Sequence, residues 1–136
     1  MLLLDTHVWL WYVQSAPEIL ASPALALIEK ASIDGQLALS TISVWEVAML
    51  HAKRRIRIKS EFDMWFAAAL QRSAVQLFPL SADDAIESTR LPGGFHNDPA
   101  DRMIVAAARN RNIMLVTRDE KILEYGRAGF VKVLTA

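Results

Sequence analysis

Cysteine is absent from the 136-residue chain. Disulfide scaffolds, thiolate zinc sites, iron–sulfur clusters and cysteine nucleophiles are thereby excluded. Glycine is scarce, with five residues, and neither GxGxxG nor a P-loop occurs, which argues against dinucleotide enzymes and ATPases. The three histidines, His7, His51 and His96, fall at unrelated spacings without an HExxH pair. An excess of charge is missing too: fifteen Lys plus Arg balance fifteen Asp plus Glu. A histone-like protein held on nucleic acid by bulk charge is therefore not expected, although a local basic patch is still allowed. The apolar opening MLLLDTHVWLWYV is interrupted by Asp5 and His7. It is too short to span a bilayer and lacks the basic n-region of a signal peptide. The expectation is a cytoplasmic protein without a membrane segment.

What is present suffices for one proper core: 53% of residues are hydrophobic and 22% charged. No repeat or linker-like tract is visible, so residues 1–136 are expected to form one domain. Strands are expected at Leu2–Leu4, Leu37–Leu39, Val75–Leu80, Met114–Thr117 and Val131–Leu134. Val8–Val13 reads as the apolar part of a helix. Further helices are expected from Ser22-Pro23 to about Ile33 and from a Ser43–Glu46 capping box to about Arg54. Ser60 opens another, to about Arg72, and Ser81 a short one ending before Pro92. Asp98-Pro99 reads as cap and first residue of a helix to about Asn110. Short apolar strands alternating with amphipathic helices indicate an α/β fold, a largely parallel sheet covered on both faces.

Such sheets bind ligands beyond the carboxyl ends of their strands. Asp5 directly follows the first strand, Glu46 falls in the first turn after the second, and Asp119 comes just after the fourth. Asp101 begins the helix that leads into the fourth strand and joins the others if that helix starts at the same edge. Each acid also has a purely structural reading. Glu46 and Asp101 complete boxes with Ser43 and Asp98, and Asp5 and Asp119 suit turns or caps. Convergence of four acids at one edge favours a shared pocket. Clustered carboxylates repel, so a proton or a cation must sit among them. Oxygen ligands without His or Cys suit magnesium or manganese.

The stretches LLLDTHVWLW, SVWEVAML, HNDPADRMIVAAA and LVTRDEKI resemble, in order and spacing, the PIN domain family and within it the VapC-like toxin ribonucleases. The resemblance implies a five-stranded parallel sheet in an α/β/α sandwich and a Mg2+- or Mn2+-dependent endoribonuclease leaving 5′-phosphate and 3′-hydroxyl ends. It places the acidic quartet on Asp5, Glu46, Asp101 and Asp119, with Thr6 and Thr117 as the hydroxyl residues beside the first and last acids. As partners it implies RNA, a small cognate antitoxin and a second copy of the chain. An RNA-processing nuclease without a toxin role, or a module that binds RNA or protein without cutting, are the alternatives. A phosphoacceptor domain is disfavoured, because Asp5-Thr6-His7 lacks a paired acid.

Asp98 lies one turn before Asp101 and suits either a helix cap or metal support through water. Arg102, four residues after Asp98, suits an i,i+4 ion pair or a substrate phosphate; Arg118 lies near the fourth strand's end and is a second substrate-binding candidate. Lys53, Arg54, Arg55, Arg57 and Lys59 crowd five cations into seven residues. They suit an RNA-backbone patch or a solvated helix C-terminus. His7 and His96 flank site segments, while Trp9, Trp11, Trp45 and Trp65 are expected in core or subunit packing rather than base stacking.

Overall fold

The computed structural model describes all residues from Met1 to Ala136. The chain runs β1 (Leu2–Leu4), α1 (Thr6–Gln14), α2 (Pro17–Leu20), α3 (Leu25–Ile33), β2 (Leu37–Ser40), α4 (Thr41–Ala52), α5 (Phe62–Ser73), β3 (Gln76–Phe78), α6 (Ala82–Ser88), α7 (Pro99–Arg111), β4 (Met114–Thr117), α8 (Glu120–Arg127) and β5 (Val133–Thr135). The five strands form one sheet in the order β3-β2-β1-β4-β5, and every pairing is parallel. The order reverses at β1, the point where an open α/β sheet forms a crevice.

Strand periodicity divides the core in two. Leu4, Leu37, Leu39 and Val116 face one layer, with α1, α3, α4 and α5 supplying Trp9, Ile28, Val47 and Ala69. Leu3, Ala38 and Leu115 face the other, against Ile104, Val105 and Ala108 of α7 and Ile122 of α8. Strands buried on both faces read as continuous apolar runs, which is why LLL, LAL and MLV were legible as strands. No helix is long and apolar enough to cross a membrane.

Several boundaries differ from the sequence reading. The helix expected from Ser22-Pro23 starts at Leu25, and Pro17 opens a separate short helix, α2. Ser22 instead accepts a bond from the Ala24 amide at 3.1 Å, holding a turn between the two. Ser60 caps nothing; α5 begins at Phe62 after Glu61, which makes no side-chain cap. The outer strands are shorter than their apolar runs, and β5 begins at Val133 because Leu115 fixes its register. α8 gave no clear signal, as it contains Gly126. That glycine is a packing requirement, since a Cβ there would stand 2.3 Å from Val133 Cγ2 of the neighbouring strand.

The Ser43–Glu46 box is not formed. β2 passes into α4 without a loop, so Ser40 takes the cap and accepts from the Ile42 amide at 3.2 Å. Ser43 and Glu46 thus lie within the helix, with their side chains free for contacts elsewhere. Of the tryptophans, Trp9 is fully buried against Trp65 and Phe66, but Trp45 is 55% exposed and lies outside the core of the chain.

Candidate active site

The carboxyl edge of β1 supplies the centre. Asp5 follows Leu4, its amide bonded to the Val116 carbonyl of β4 at 2.9 Å. Its side chain caps α1, accepting from the Thr6 amide at 2.8 Å through Oδ1. Oδ2 accepts from the Thr117 hydroxyl at 2.7 Å. Thr117 Oγ1 in turn accepts from the Asp119 amide at 3.0 Å. One buried hydroxyl therefore fixes both the first acid and the backbone that carries the last.

Thr6 does the same work on the other side. Its hydroxyl donates to Glu46 Oε1 at 2.6 Å and lies 2.8 Å from Ser43 Oγ. Glu46 is thus turned toward α1 rather than toward its own helix start. Ser43 has no precedent in the sequence reading, where its capping-box spacing concealed this contact. Asp98 caps α7 by accepting from the Asp101 amide at 2.9 Å. Asp101 Oδ2 stands 3.0 Å from His96 Nε2. Asp119 caps α8, accepting from the amides of Lys121 and Ile122.

These segments enclose a cavity of about 420 Å3 lined by Asp5, Thr6, His7, Val8, Trp11, Glu46, Asp98, Asp101, Arg118 and Asp119. All four expected acids meet there, and Asp98 both caps its helix and faces the cavity. Arg118 also lines it, lying over the Trp11 ring and bonded to the carbonyls of Ala136 and Glu18. Arg102 does not line it. Its guanidinium donates to the carbonyls of Ser88, Phe95 and His96, so it makes no ion pair with Asp98 and ties down the loop before α7. A larger hollow of about 760 Å3 at the start of β4 and β5 contains Glu87 as its only acid and gathers no comparable cluster.

The electrostatics follow from five carboxylates in one recess. Burial pushes the Asp5 carboxyl above its ordinary value, against the bonds from Thr117 and Thr6. Burial also raises Glu46, with Asp5 and Asp98 adding repulsion and the Thr6 bond opposing it. Asp101 is pushed up to about 8 by burial and then by repulsion from Asp5, Asp98, Asp119 and Glu46. Three acids held above their usual range by one another and by desolvation make a site that favours a cation or shared protons.

A family model described as PIN domain matches residues 2–128. The chain belongs to the PIN domain family. This PIN domain is 32% identical over 120 residues to Ribonuclease VapC22 of Mycobacterium tuberculosis (strain ATCC 25618 / H37Rv), covering 88% of each chain. Its fold is similar to that of VapBC2 from Rickettsia felis, solved bound to a promoter DNA fragment, with TM-score 0.71, 16% identity, and 98% and 97% of the two chains covered. It is also similar to a toxin–antitoxin complex from Klebsiella pneumoniae, with TM-score 0.62, 23% identity, and 99% and 97% covered.

The donor set of this PIN domain fits a hard divalent cation: carboxylate and hydroxyl oxygens dominate it, with His7 the one imidazole and Arg118 the one guanidinium in the lining. No three of its acidic or histidine side chains form a ready-made cage. Magnesium is commonly held by one or two carboxylates together with waters and substrate phosphates, so an open arrangement suits it better than a closed one.

Proposed function

We propose that this PIN domain is a divalent-metal-dependent endoribonuclease acting as the toxin of a toxin–antitoxin pair. The observation that carries the reading is the recess holding Asp5, Glu46, Asp98, Asp101 and Asp119, with Asp101 raised to about 8 by burial and by its acidic neighbours. A ribonuclease relative at 32% identity supports RNA as substrate, and a fold shared with toxin–antitoxin complexes supports a small protein partner. Mg2+ or Mn2+ is the cofactor we assign to the site, with a homodimer as the working assembly.

Asp5, Glu46, Asp101 and Asp119 would hold the ion, while Thr6 and Thr117 keep Glu46 and Asp5 in fixed rotamers. When bound, the cation supplies an activated water and offsets charge developing on the phosphate oxygens. Asp98 fixes the start of α7 and hence Asp101. Before a cation binds, the Asp101 carboxyl, beside His96 Nε2, is the group best matched to hold a proton near neutral pH. Arg102 acts on the site only through the loop bearing His96, which it bonds. Arg118 places a fixed positive charge at the cavity wall, where a non-reacting phosphate is the natural counter-charge.

The test is induced expression with and without the neighbouring small gene, followed by sequencing of RNA 5′ ends. Growth arrest relieved by the neighbour, with new 5′-phosphate ends that vanish in Asp5→Asn, is the expected result. Cleavage without arrest would make it a processing nuclease. RNA binding with no metal-stimulated cleavage would make it a binding module.

A further inference from the structure

The recess is a poor attractor for the polyanion it is proposed to cut, since it presents five carboxylates and one guanidinium. A phosphate backbone must be drawn to the protein by charge elsewhere. Seven of the fifteen cations are already engaged: Lys30, Arg90, Arg109, Arg111 and Arg127 pair with carboxylates, and Arg102 and Arg118 are held by carbonyls. Arg72, Lys121 and Lys132 are exposed but isolated from one another in the sequence. Lys53, Arg54, Arg55, Arg57 and Lys59, by contrast, are all exposed, and no acid pairs with any of them.

Their place is fixed relative to the recess. Lys53 is the C-cap of α4, the helix that carries Glu46. Seven residues are almost two full turns, so Lys53 lies on the same helical face as Glu46, about 10 Å along the axis. α1 runs beside α4: Thr6 at its start bonds Glu46, and Gln14 at its end donates to the Arg57 carbonyl at 3.2 Å. The segment is anchored as well as charged, because Ile56 packs on the core and Ile58 is half-buried. Arg54, in the left-handed region at φ 57°, turns the chain out of the helix.

We infer that Lys53–Lys59 is a backbone-binding track for an RNA strand whose reacting phosphate lies in the acidic recess. This rests on the nuclease reading above. At about 3.4 Å per nucleotide of a stacked strand, the track begins roughly three nucleotides from Glu46. An acidic protein is the weaker occupant, because Ile56 packs on the core and the exposed residues of the segment are all cations, which leaves it no apolar centre for an interface.

The test is equilibrium binding of a single-stranded RNA oligonucleotide to the full chain in EDTA, at several salt concentrations. Parent, R55Q/R57Q/K59Q and the charge-keeping R55K/R57K are compared, with matching circular dichroism melts required of all three. Each lost phosphate contact removes about 0.7 from the slope of log K against log salt. The triple variant is expected to lose roughly 2 in slope, and R55K/R57K to keep the parent's slope. An unchanged slope in a folded triple variant, while the parent cleaves RNA with Mg2+, overturns the track alone. A parent that neither binds nor cleaves RNA overturns the nuclease reading with it. If the triple variant keeps its RNA slope but loses binding to polyglutamate, the segment serves a protein and the inference fails.

Discussion

Asp101 is surrounded by Asp5, Asp98, Asp119 and Glu46, and its carboxyl is raised to about 8. A carboxyl whose folded value lies above its unfolded one stabilises the protein when protonated. Its contribution is complete below about pH 4 and is lost as pH rises through about 8. Asp5 and Glu46 are shifted the same way. Melts in EDTA should therefore show Tm falling between pH 5 and pH 8.5, and Asp101→Asn should flatten that slope. The same variant should lose metal-stimulated RNA cleavage by more than about 100-fold, beyond the 10–100-fold typical of an outer partner. Thr6→Val tests such a partner. It keeps the packing of a side chain only 1% exposed but removes the donor to Glu46. Its cleavage should fall by about 10–100-fold at limiting Mg2+ and recover in part as Mg2+ is raised. A Thr6→Val protein with parental metal dependence would show that the hydroxyl does not position Glu46.

Among the elements, α6 and α7 are joined by one carboxylate. Asp84 completes the capping box of α6 with Ser81 and accepts from Asn110 and, through both oxygens, from Arg111 on α7. Burial acts to raise its pKa, but the Arg111 and Asn110 bonds outweigh it and hold the carboxyl below its ordinary value. Its stabilisation is thus present above about pH 4 and lost as pH falls, opposite in sign to the site acids. Asp84→Ala leaves Arg111 without its buried partner and should cost about 3–5 kcal/mol in urea unfolding. The lining of the proposed site does not include Asp84, so RNA cleavage per folded molecule should be unchanged well below the melting temperature. Element types were legible wherever an apolar run or a cap stood alone, as at Leu2–Leu4 and Asp98-Pro99. They were misread where two signals competed. Ser40 and Ser43 both precede the α4 hydrophobics, and only the exit of β2 at Ser40 decides which one caps. The convergence of acids was legible for the same reason: parallel strands must deliver their carboxyl ends to one edge. What they touch was not, because Thr6–Glu46 and Thr117–Asp5 join residues 40 and 112 positions apart. The spacing of Arg102 likewise concealed its hold on the His96 loop.

At the scale of the molecule, a formal net charge of zero conceals a dipolar arrangement, with carboxylates gathered at the β1 edge and free cations past the end of α4. Such an acid cluster opposes folding of the metal-free chain at neutral pH, and a cation that binds only the folded form must relieve it. At a hundredfold excess over its dissociation constant an ion adds about 2.7 kcal/mol. For a chain of this length that corresponds to roughly 10 °C in Tm. The shift should be full at pH 8. At pH 5 it should shrink, because protons then occupy the carboxylates that the ion requires. Asp101→Asn should blunt the shift at pH 8, whereas R55Q/R57Q/K59Q, which changes no residue lining the recess, should leave it nearly intact. Paired melts in EDTA and in Mg2+ at both pH values measure all of this without any RNA. Identical Tm with and without Mg2+ at pH 8 would show that the acids share protons rather than a metal, and the metal assignment would fall even if RNA were cut.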